Sequence, residues 1–210
     1  MLSALTILAA AGTAGCVSEA PGPLAMTDQE LEAWEIRLVE FRIDKNEAFM
    51  DSTQTALRAE DLPGFEGLNY YYPEKSLRYR LPLEPVTGEQ KVELAKRKGN
   101  TVPYVIKGKV TFAHEGKNHT LSVLGPADPK DGDYLWLPFY DETSGGETYG
   151  GGRYLDLELA ADGTVEVDFN FAYNPLCDYN PEKYNCTLPP AGNRLPFAVK
   201  AGEKLFHAHE

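Results

Sequence analysis

Basic charge, histidine and cysteine are all scarce in this chain, and each scarcity removes a class of function. Only 20 lysines and arginines stand against 32 acidic residues, for a formal net charge of -12 over 210 residues. No basic stripe reverses that balance, so electrostatic capture of nucleic acid or of anionic headgroups is argued against. None of the four histidines falls between Glu147 and Lys204, the region densest in unusual motifs, and Ser144 in TSGGE is not a nucleophile elbow. His207 and His209 sit at the tail and read as a solvated end, while His114 and His119 flank a hairpin loop and read as surface residues. No glycine run carries the lysine and hydroxyl of a P-loop or the spacing of a dinucleotide fingerprint. No cofactor and no metal are predicted, and there is neither a repeat nor a low-complexity tract.

The first sixteen residues, MLSALTILAAAGTAGC, form an apolar run that ends in small residues. It is too short for a membrane-spanning helix and has the length of an export signal. Ala14 and Gly15 before Cys16 resemble a bacterial lipobox, in which the cysteine is acylated and becomes the mature first residue. The expected partner is therefore a membrane, reached through lipid on Cys16, with ordinary cleaved secretion and a functionless apolar start as the alternatives. Residues 17–26, VSEAPGPLAM, read as a flexible tether, and residues 27–210 as a single globular domain. In an exported protein, Cys177 and Cys186 favour a disulfide, with two free buried thiols as the alternative.

Thr27 and Glu30 have capping-box spacing, and Leu31, Trp34, Leu38, Phe41, Ala48 and Phe49 recur on one face of a predicted amphipathic helix ending near Met50. Alternation predicts a strand around 77–83, with Pro82 favouring an edge. Residues 90–98 are helix-friendly and end at Gly99. Residues 104–113 and 119–124 read as a hairpin, and 135–140, 153–159, 165–169 and 197–201 as further strands. Asp162 and Gly163 supply a second hairpin turn. Many short strands behind one helix predict a mainly β fold, an antiparallel sandwich or a partly closed barrel.

The chemistry concentrates late in the chain. Gly150, Gly151 and Gly152 permit a turn whose successive N–H groups form an anion-binding concavity beside Arg153; a tight bend at a strand crossing is the plainer reading. A hairpin pairing of 153–159 with 165–169 would bring Asp156 or Arg153 near Asp168, with Asn170, Tyr173 and Asn174 at the strand's exit. Arginine with carboxylates is more often a structural ion pair than a catalytic centre. Asp128, Asp131 and Asp133 lack EF-hand spacing and read as a solvated turn.

Taken together, ETYGGGRYLD, DFNFAYNPLCDYN, LPPAGNRL and AGEK, with FEGLNYYYPE and LRYRLPLEP upstream, resemble the prokaryotic family called domain of unknown function 1684. The resemblance spans roughly 31–205. It singles out Glu147, Tyr149, Gly150, Gly152, Arg153, Asp168, Asn170, Tyr173 and Asn174, both late cysteines, Asn193, Arg194 and the Gly202, Glu203, Lys204 triplet. It implies a lipoprotein and no assigned reaction. The leading expectation is a small polar or anionic ligand bound among Glu147, Tyr149, Gly150–Gly152, Arg153, Asp168, Asn170, Tyr173, Asn174, Asn193 and Arg194. The alternatives are a hydrolase using Asp156, Asp168 or Glu147, and a structural or interaction module with no small-molecule site.

Overall fold

The structure, a computed structural model, describes residues 20–207. Cys16 and the start of the expected tether lie outside the described residues, as does His209. From Pro21 onward the chain is already attached to the domain: the Ala113 N–H donates to the Pro21 carbonyl (2.8 Å) and the Leu24 N–H to that of Arg78 (2.7 Å).

Helix α1 (Asp28–Met50) starts where the capping box places it. The Glu30 N–H donates to Thr27 Oγ1 (3.3 Å) and the Thr27 N–H to Glu30 Oε2 (2.8 Å), satisfying two otherwise orphaned donors. Trp34, Leu38 and Phe49 bury one face. The opposite face is also partly apolar, with Ile36, Val39, Ile43 and Met50 exposed among glutamates, so the amphipathic contrast expected from the sequence is weak.

Seven strands follow in two antiparallel sheets. β1 (Arg78–Pro82) pairs with β7 (Thr164–Asp168), and β2 (Gln90–Ala95), β3 (Thr101–His114), β4 (Lys117–Pro126), β5 (Leu135–Phe139) and β6 (Arg153–Leu157) form the larger sheet in that order. Residues 90–95 are thus a strand, not a helix: all six pair with β3, and the ladder overrides a local helix preference. β3 and β4 turn through Glu115 and Gly116, both at positive φ (49° and 72°), the signature of a two-residue I′ hairpin. His114 and His119 are less exposed than expected, because both rings pack on Phe197 with centroids 4.1 and 5.0 Å away.

The two sheets enclose one core that includes Tyr79, Leu81, Phe112, Leu121, Leu137, Phe139, Leu155, Val167 and Phe169. This is a sandwich and no barrel closes among the described residues. The five-stranded sheet also buries apolar side chains on its outer face, where Leu94, Leu124, Trp136 and Tyr154 pack with Tyr104, Ile106 and Tyr173.

Two expectations fail for linked reasons. The chain does turn at Asp162 and Gly163, but pairing beyond the turn stops at Leu159↔Val165, and β7 crosses to the other sheet to pair with β1. Asp168 therefore lies opposite Arg78, and Asp156 opposite Trp136, instead of facing one another. Residues 197–201 form no strand. The Val199 and Ala201 carbonyls are bonded by the Arg153 side chain.

Candidate functional site

The polar residues that dominate the late motifs are mostly sealed inside the fold. Arg153 has no solvent exposure; its guanidinium donates to Asp141 Oδ2 (2.7 Å) and to the carbonyls of Val199 (2.8 Å), Ala201 (2.5 Å) and Glu203 (3.1 Å). One side chain thus fastens a whole terminal segment. Asn193 imitates a peptide group between β4 and β5, donating to the Ser122 and Pro138 carbonyls and accepting from the Ser122 N–H, each at 2.8 Å. It replaces ladder bonds where only Leu124↔Trp136 pairs.

Asn170 does the same for one peptide group, accepting from the Glu74 N–H (2.7 Å) and donating to the Glu74 carbonyl (2.9 Å). Asp168 accepts from Trp34 Nε1 (2.6 Å) and from Asn170 (2.8 and 2.9 Å), tying α1 to β7. Burial pushes the Asp168 carboxyl up despite those donors and Arg78. Asn174 donates to Asp178 Oδ2 (2.7 Å) and to the Lys204 carbonyl (2.8 Å), and its N–H reaches Glu203 Oε2 (2.8 Å). Buried Glu203 is also ion-paired with Lys45 and accepts from Tyr179 (2.5 Å).

The glycine run divides. Gly152 sits at φ +83°, and a Cβ there would lie 2.7 Å from both the Phe139 carbonyl and Pro189, so its role is a close crossing into β6. Tyr149, Gly150 and Gly151 front a cleft of about 790 Å³ with Arg97, Asp178, Pro181 and His207. Burial pushes the Tyr149 hydroxyl up, against the charge of Arg97. Glu147 is exposed and pairs with Lys200 (3.2 Å), whose hydrogen bond holds its carboxyl low. Arg194 lies over the Tyr140 ring at 4.4 Å. The predicted site residues therefore do not converge on one cavity: Arg153, Asp168, Asn170 and Asn193 are interior fasteners, and Glu147 and Arg194 line neither cleft.

A larger cavity lies elsewhere, on the outer face of the five-stranded sheet. Cross-strand register sets Ile106, Leu124, Trp136 and Asp156 side by side on β3, β4, β5 and β6. Above that row opens a groove of about 1380 Å³ lined by Tyr104, Tyr134, Trp136, Tyr154, Tyr173 and Tyr184, with Asp156, Glu158, Lys107 and Asp133 among its charged residues. Its wall is the loop closed by the Cys177–Cys186 disulfide (Cα–Cα 5.9 Å), and Pro175, Leu176 and Tyr184–Thr187 face the groove. The same loop turns Cys177, Asp178 and Pro181 toward the smaller cleft, so it is a ridge between the two.

Tyr173 donates to both Asp156 oxygens (3.0 Å), and Tyr154 to the Thr187 carbonyl. Asp156 reaches solvent, yet the packing around it desolvates the carboxyl enough to push its pKa up, partly offset by the Tyr173 hydrogen bond. Of this groove, reasoning from sequence had flagged Asp156, Tyr173 and Asn174 and missed the aromatic floor. The alternation in LWLPF, which sets Trp136 opposite the core-facing Leu137, was the available signal. Among the described residues no three acidic, histidine or cysteine side chains cluster as a metal site, and Asp128 instead caps the turn at Pro129–Asp131.

A family model described as "Protein of unknown function (DUF1684)" matches residues 63–204. The chain belongs to this family. The resemblance carried by the glycine-arginine and Asn-Pro motifs is thereby confirmed. A solved relative, an uncharacterized protein of Haloarcula marismortui determined by solution NMR, is 32% identical with a TM-score of 0.64, covering 85% of this chain and 97% of that one. No curated protein matches.

Proposed function

We propose that this DUF1684 member is an exported, lipid-anchored envelope protein whose β-domain binds a polar ligand in the aromatic groove. The observation that carries the reading is the groove of about 1380 Å³ on the outer sheet face, mostly apolar, with Asp156 at the end of its cross-strand row. Apolar clefts with a few convergent polar groups and a titratable side chain displaced by its surroundings are where proteins most often bind small molecules. The location rests on the apolar leader and on Cys16.

Two measurements test the two halves. The membrane-extracted protein is expected to begin at Cys16 and carry acyl mass, and Cys16→Ser to lose the membrane; an unmodified Met1 terminus refutes the anchor. For the groove, polar compounds are screened by the emission change of buried Trp136, with Tyr134→Ala as the comparison. Hits that bind wild type and variant equally well overturn the groove.

A second reading, hydrolysis with Asp156 as proton donor, is favoured by its raised pKa within the groove. Asp168 is sealed against Trp34 and Glu147 is held low by Lys200, which leaves Asp156 as the carboxylate placed for that role. Asp156→Asn is expected to abolish such turnover while ligand still binds.

A further inference from the structure

We infer that the groove's ligand is a neutral oligosaccharide, a sugar ring laid against Tyr134 and the apolar rim and its hydroxyls bonded to Asp156 and Glu158. This rests on the groove being the binding site, as proposed above, and adds the ligand's chemistry.

Three observations select that class. First, four of the groove's tyrosine hydroxyls are already engaged, so what these residues offer is ring surface, chiefly that of Tyr134. The Tyr104 and Tyr134 hydroxyls face each other (3.4 Å), Tyr154 is bonded to the Thr187 carbonyl and Tyr173 to Asp156. Tyr134 is 42% exposed, and Leu159 and Leu176 extend the apolar rim. A pyranose presents an apolar C–H face to such a ring while its hydroxyls point outward along the edge, and amphipathic aromatic surfaces match that pattern.

Second, the charges do not fit an anion. Both groove lysines are committed, Lys107 to Asp133 (3.3 Å) and Lys45 to the buried Glu203. The remaining ionisable groups are Asp156 and Glu158, which accept hydrogen bonds from hydroxyls and repel carboxylates and phosphates. The anionic half of the expectation from sequence therefore has no partner in this groove. Third, the groove exceeds the roughly 300–1,000 Å³ of pockets for single small molecules and is open, which suits a chain of linked units.

The test uses the full chain in a detergent without a sugar headgroup, titrated by calorimetry against neutral gluco-, manno-, galacto- and N-acetylglucosamine oligomers of graded length. Uronate oligomers, oligolysine and aromatic peptides complete the panel. At least one neutral series is expected to bind, with affinity rising with length, and Tyr134→Ala and Asp156→Asn are each expected to weaken it about tenfold. Because Tyr134 is exposed and Asp156 is not in the core, both variants should fold, and circular dichroism checks that they do. If no neutral oligomer binds, or binding ignores both substitutions, the saccharide assignment is overturned. If only oligolysine or peptides bind and Tyr134→Ala weakens them, the saccharide assignment falls while the groove stands. Silence from the entire panel removes both.

Discussion

The sealed network around Arg153 and the open groove around Trp136 are built from opposite materials, and the contrast separates where this chain's dense polar motifs fall from where its surface is concave. The network uses charged and amide side chains with almost no exposure, each bonded to main chain that no ladder serves. Unsatisfied, those peptide groups would each cost about 1–3 kcal/mol when buried. The groove uses aromatic side chains, most with their hydroxyls already engaged, over a floor of buried Trp136 and Tyr154 and a rim where Tyr134 is exposed. Dense polar motifs thus mark fasteners, and the concave surface comes from residues that look ordinary in the sequence.

The largest expected effect falls on the network. Arg153→Met leaves Asp141 buried without its partner and frees three carbonyls at the terminal segment. The expected loss is about 3–5 kcal/mol, measured by urea unfolding. A loss under 1 kcal/mol would mean that the segment is held by its apolar contacts instead.

Asp178, in the ridge loop, tests the same region by pH. Burial first, with the charge of Glu203 adding and the Phe206 N–H and Asn174 opposing, pushes its carboxyl up to about 7. A raised folded pKa means that the folded state holds the proton longer. The associated stability is complete below the unfolded value near 3.8 and is lost as pH rises through about 7. The expected slope amounts to about 2–4 kcal/mol over that window, and Asp178→Asn should flatten it. Identical profiles for wild type and variant would assign the titration to other carboxyls.

Asn193→Leu is expected to cost about 1–3 kcal/mol by stranding the Ser122 peptide group and the Pro138 carbonyl between β4 and β5. The smallest effect belongs to the groove. Tyr134→Ala, at an exposed rim position, should change stability by less than about 0.5 kcal/mol. A larger loss would show that the rim is structural and would erase the contrast between the two regions.

Legibility in the sequence followed the range of the interactions. The α1 start was readable because its capping box is closed within four residues, and the β3–β4 hairpin because Glu115 and Gly116 and the flanking alternation are local. β2 was not, because Gln, Lys, Glu, Leu and Ala favour a helix in isolation and only the β3 ladder decides otherwise. Residues 197–201 alternate like a strand, yet the Val199 and Ala201 carbonyls are bonded by the Arg153 side chain, 46 residues before Val199. The family's Asn and Arg positions were visible as polar residues in an apolar context, but whether each faces a cavity or a peptide group depends on the tertiary path. The groove was the least legible part, since register on four strands is what sets Ile106, Leu124, Trp136 and Asp156 abreast.

A single covalent cross-link serves as the partition between two concavities: Cys177 faces the smaller and Cys186 the larger. Because its two ends line different concavities, the bond constrains both walls at once.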